Sequence, residues 1–120
     1  MNVVAAAVAA LLVIALGFFG LTQQLGAHPF WAFKVTWIGA PIGAILFLVI
    51  GRLTSSSIAG IGLLALGLIS LYAAFWGKTE FAASYGEDAA AGRVWYFGWI
   101  ATATFFSAAI AWFLRMFLTR

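Results

Sequence analysis

The chain has 120 residues, of which 66% are hydrophobic and 8% charged, with a mean hydropathy of +1.12 and a formal charge of +3. A soluble domain carries roughly 25% charged residues, so a water-soluble fold is excluded and the chain reads as one transmembrane domain over 1–120, without linkers or low-complexity segments. Its six basic residues form no cluster, which sets nucleic acid aside as a partner, and the absence of cysteine removes disulfides, thiolate metal sites and iron–sulfur clusters within the chain.

A spanning helix needs about 20 predominantly apolar residues. Four stretches meet that requirement, predicting an all-α, four-transmembrane-helix bundle with short connections: Val3–Leu21, Phe30–Ile50, Ser57–Trp76 and Val94–Leu114. The first resembles a signal peptide but lacks a basic leading segment, and the sequence starts at Met1, so it is expected to be a retained membrane helix. Thr22-Gln23-Gln24 closes it. Pro29 suits the first turn of the second span, where a missing N–H costs nothing. Gly51-Arg52 and the run Thr54 to Ser57 make a short turn in which a serine caps the third helix.

The longest connection, Gly77 to Arg93, is expected to be an extramembrane loop. Within it, Ser84-Tyr85-Gly86-Glu87 fits the capping-box spacing, which would start the fourth helix as early as Tyr85. Basic residues flanking spans set orientation. With the N-terminus cytoplasmic, Arg52, Arg115 and Arg120 fall inside and Lys34, Lys78 and Arg93 outside, an even balance that keeps dual topology open. Snorkelling of Lys34 tips the reading to N-in, C-in, in a bacterial inner membrane.

Helices in lipid associate through close packing of small residues and through polar contacts. The expected packing positions are Gly39 and Gly43 in the second helix, Gly60 and Gly67 in the third, and Gly98 in the fourth. Ala6, Ala10, Gly17 and Gly20 serve the first helix, and Ala74 extends a seven-residue seam in the third. Pro41 frees the Trp37 carbonyl and predicts a kink there. Aromatic residues gather near span ends, among them Phe30, Trp31, Phe33, Trp37, Tyr72, Phe75, Trp76, Trp95, Tyr96, Phe97 and Trp99, as an interfacial belt would require.

The polar inventory leaves little for chemistry. A metal site needs a cluster of ligands, yet the chain has one histidine, His28, and three acids, none beside it in sequence. No metal site, no catalytic residue and no cofactor is predicted, and the protein is not read as an enzyme. His28 is the one weak candidate for cofactor binding, since it could ligate a haem only with a second imidazole from a partner or another copy. No motif pairs it with a nucleophilic serine.

In length and span count the chain is similar to small multidrug-resistance transporters and to fluoride channels built from short four-helix chains. The likeness stops at size. The first helix carries no glutamate, and Asn2 is the only asparagine. Lys34 is read as lying about four residues inside the second helix, a position that admits three roles: snorkelling to the headgroups, an ion pair or partner contact involving Glu80, Glu87 or Asp88, or a translocation or proton site.

These features point to a non-catalytic accessory or stabilising subunit of a larger integral membrane complex, respiratory or photosynthetic in setting, with other membrane subunits or further copies as partners and with lipid contacts. The alternative is a small homo-oligomeric transporter or channel. A second alternative is a module binding a pigment, quinone or haem.

Overall fold

The computed structural model describes residues 2–118; Arg120, counted in the orientation argument, lies outside the described residues with Met1 and Thr119. Within them the protein is helical, without strands: α1 is Asn2–Phe18, α2 Leu21–Gln24, α3 Lys34–Leu53, α4 Ser57–Ala83 and α5 Ala89–Leu118. Three helices, α3, α4 and α5, are long and apolar enough to cross a membrane. The 17-residue α1 is apolar but shorter, about 25 Å at 1.5 Å per residue. It stops at Phe18 because Gly20 turns left-handed, with φ of 91°, before the single turn of α2.

The helix α5 is the hub. It packs against α1, α3 and α4, and α1 also packs on α3, whereas α4 meets no long helix other than α5. The result is elongated and thin, 51 × 26 × 18 Å. Asn2, the end of α3, the start of α4 and Arg115 share one end of the molecule, and the α2–α3 and α4–α5 connections share the other.

Close approach between helices depends on residues without bulk. A Cβ on Gly39 would stand 2.6 Å from the Ile100 carbonyl oxygen, and one on Gly43 would strike the Thr104 carbonyl oxygen, so α3 and α5 touch backbone to backbone. Along α4, Gly60 receives Trp112 and Gly67 receives Phe106; two turns further the roles reverse and Gly98 of α5 receives Ala74. In α1, Ala5, Ala6 and Ala9 are buried, and Gly17 lies against Thr36. Ser107, fully buried, donates its Oγ hydrogen to the Ala40 carbonyl at 3.1 Å, beside Pro41. Through Pro41 itself α3 runs on without a break, because a neighbouring helix can support the backbone where a proline interrupts its ladder.

Several local expectations shift. Most of the segment 77–93 is helical: α4 runs to Ala83 and α5 begins at Ala89, leaving only 84–88 as connection. Ser84 closes α4 instead of opening α5, donating to the Phe81 carbonyl and accepting from the Asp88 N–H. The reason is the backbone at Tyr85 and Gly86, with φ of 57° and 81°, which ends one helix before the next starts. Asp88 takes the capping role, its Oδ1 accepting the Ala91 N–H at 3.0 Å. At the start of α4, Ser56 caps by accepting the Ile58 N–H at 3.2 Å.

The aromatic belt also divides. Trp95, Trp99 and Trp112 are buried, while Phe30, Trp37, Tyr72, Trp76 and Phe97 are exposed. Buried indoles need hydrogen-bond partners. Trp95 Nε1 donates to the Gly26 carbonyl and Trp112 Nε1 to the Ser56 carbonyl, each tying α5 to a chain reversal.

Candidate functional site

Three regions have enough character to be weighed. The first is the end bearing His28 and Lys34. The helix α3 begins at Lys34, so Pro29 and His28 lie in the turns ahead of it and Lys34 occupies its first turn, not a position four residues within. The shift has a simple cause. His28 Nδ1 accepts the Phe30 N–H at 3.0 Å, organising a separate turn before the helix. The imidazole lies 6.0 Å from the Trp31 ring and 5.6 Å from the Trp95 ring, exposed to solvent on its outer side. Trp31 continues the cluster onto Trp95 and Tyr96.

Lys34, Glu80 and Glu87 are exposed, and Asp88 is engaged as the α5 cap. Among the described residues no ion pair joins Lys34 to any of these acids. No three potential metal ligands come together among the described residues.

The second region is at the opposite end. Arg115, 8% exposed, stacks with its guanidinium carbon 4.2 Å from the Trp112 ring centre and 5.4 Å from that of Phe47. Gly51 makes the room: a Cβ there would stand 2.8 Å from Arg115 Nη1 and 3.6 Å from the Asn2 side-chain amide. The cation sits where α3 and α5 both end, so carbonyl-rich helix termini and two aromatic faces compensate its burial. Sequence reading used Arg115 only as a topology marker. The signal was present in Trp112, three residues before it on the same helix face.

The third region is a groove. Because α1 and α4 both lie on α5 without touching each other, a cleft of about 240 Å³ opens between them, walled by Val13 and Leu16 of α1 and Leu71 of α4, and floored by Trp99, Phe106 and Ile110. Leu21, Thr22 and Leu25 roof it. Its threonines show the groove no free hydroxyl: Thr22 donates to the Ala32 carbonyl, Thr36 to that of Phe33 and Thr102 to that of Gly98. The walls are therefore carbon. No sequence pattern announces this groove, since it depends on which helices fail to meet.

Comparison with protein-family models, with curated proteins and with solved structures yields no match for this chain.

Proposed function

We propose that the protein is a four-span membrane bundle acting as a non-catalytic accessory subunit of a larger integral membrane complex, respiratory or photosynthetic, in a bacterial inner membrane with both termini cytoplasmic. In this reading α1, with the turn that follows it, supplies the fourth span. One observation carries the proposal. The inner stripe of α4 is used by α5, while its outer stripe, Gly62, Ala65, Ile69, Tyr72 and Trp76, is exposed.

A Cβ on Gly62 would meet nothing within 4 Å. Glycine costs a helix up to about 1 kcal/mol relative to alanine, and the chain's own fold gains no close packing in return at this position. A partner helix seated at Gly62 would supply that gain by the small-residue packing typical of membrane interfaces. The interior polar groups support the same reading. Ser107, Trp95, Trp112 and Thr22 each hold one part of the chain to another, so they serve assembly instead of a solute path.

The test is native electrophoresis of membranes solubilised in mild detergent. The chain is expected to migrate with a much larger complex, and Gly62→Leu to release it while leaving the isolated chain folded. A chain that migrates alone, whatever its variant, would remove the proposal.

A further inference from the structure

We propose that the groove between α1 and α4 binds one acyl chain of an anionic phospholipid, with the lipid phosphate against Lys78. This rests on the helices lying in a bilayer and is otherwise independent of the subunit reading.

Shape comes first. Along α5 the groove runs from Trp99 to Ile110, about 16 Å at 1.5 Å per residue. One leaflet contributes roughly 15 Å of the hydrocarbon core, so the groove is as long as one acyl chain is deep. A volume of about 240 Å³ is far too small for a helix, which is 10–12 Å across with its side chains. Chemistry comes next. The threonine hydroxyls on the walls are all engaged with backbone carbonyls, which suits a hydrocarbon chain and gives a polar headgroup nothing to hold.

Charge then selects the lipid. On α4, Leu71, Phe75 and Lys78 follow one another on a single face. Leu71 and Leu25 line the groove, and beside Leu25 a Cβ on Gly26 would stand 3.0 Å from Phe75 Cε1 and 3.6 Å from Lys78 Nζ. The Lys78 ammonium thus lies beside the Leu25–Gly26 edge of the roof, about 10 Å above Leu71 along the helix, and the residue is exposed. Neighbouring Gly77 packs on the Trp95 backbone, one turn above Trp99. A cation at that height meets the phosphate of a lipid whose chain fills the groove below. A net negative headgroup is then favoured over a zwitterionic one by roughly five-fold, the scale of one lysine near a membrane surface.

The experiment reconstitutes the full chain in phosphatidylcholine vesicles containing phosphatidylglycerol, re-extracts it in mild detergent and counts retained lipid by native mass spectrometry. One phosphatidylglycerol per chain should remain, preferred roughly five-fold over phosphatidylcholine. Lys78→Gln should keep a bound lipid but lose the preference. Leu71→Trp, or Leu16→Trp on the facing wall should the first variant not fold, should retain neither lipid. Equal retention of the two lipids by the unaltered chain, an unchanged preference in Lys78→Gln, or undiminished retention in a folded groove-filling variant would overturn the proposal. The isolated chain suffices for this test, so its failure leaves the subunit reading standing.

Discussion

Trp112 of α5 sits in the notch left by Gly60 of α4, where a Cβ would stand 2.6 Å from Trp112 Cδ1, and its indole N–H reaches the Ser56 carbonyl at 3.1 Å. One side chain therefore joins the start of α4 to the end of α5 by shape and by hydrogen bond together. Trp112→Phe keeps most of the shape but leaves the Ser56 carbonyl without its donor, and is expected to cost about 0.5–1.5 kcal/mol. Gly60→Ala meets the ring edge and is expected to cost about 1–3 kcal/mol. Reversible unfolding in mixed micelles measures both.

The contrast between Gly43 and Gly62 separates packing from propensity. Alanine at Gly43 would drive into the Thr104 carbonyl oxygen, a backbone atom that moves only if α3 and α5 part, whereas alanine at Gly62 meets open space. Gly43→Ala is expected to lower stability by at least about 1–3 kcal/mol. Gly62→Ala is expected to raise it by up to about 1 kcal/mol in the isolated chain. Unfolding midpoints of the pair, compared side by side, check the assignment of the α3–α5 contact.

At the α4–α5 connection, the cap belongs to Asp88 and not to a Ser84–Glu87 box. Asp88→Ala should therefore destabilise the chain by about 1 kcal/mol, while Glu87→Ala should leave stability within about 0.5 kcal/mol of the parent. Thermal unfolding of the two variants distinguishes the alternatives directly.

The Arg115 guanidinium carbon lies over Trp112, 4.2 Å from the ring centre, a contact for which a guanidinium is better suited than an ammonium. Arg115→Lys keeps the charge but not the stacking, and a loss of about 1 kcal/mol is expected. Lys34 offers the opposite case. An exposed cation in the first turn of α3 gains nothing from the helix dipole, so Lys34→Gln should be neutral or slightly stabilising. Chemical denaturation of the two variants in the same detergent tests the ranking.

Sequence was informative where the physics is local. Apolar run lengths announced the three long helices, and Ser56 capped α4 from within the expected turn. It misled where the backbone chooses between neighbours. Ser84 has the spacing of a helix start, yet the left-handed Tyr85 and Gly86 place it at a helix end. His28 and Lys34 stood out as rare polar residues, but rarity in sequence says nothing about burial: both are exposed, while Arg115, weighed only for topology, is enclosed. The groove was hidden for a different reason. It is set by the absence of an α1–α4 contact, and run lengths do not encode which helices remain apart.

The most direct measurement of the central claim is native electrophoresis of mild-detergent extracts carrying either the unaltered chain or Gly62→Leu, combined with liposome transport assays on the purified protein. The unaltered chain should migrate within a much larger complex, Gly62→Leu should leave it as a folded, free chain, and the purified protein should move no solute. A self-contained dimer that carries solute across liposomes, and whose migration Gly62→Leu does not change, would contradict it.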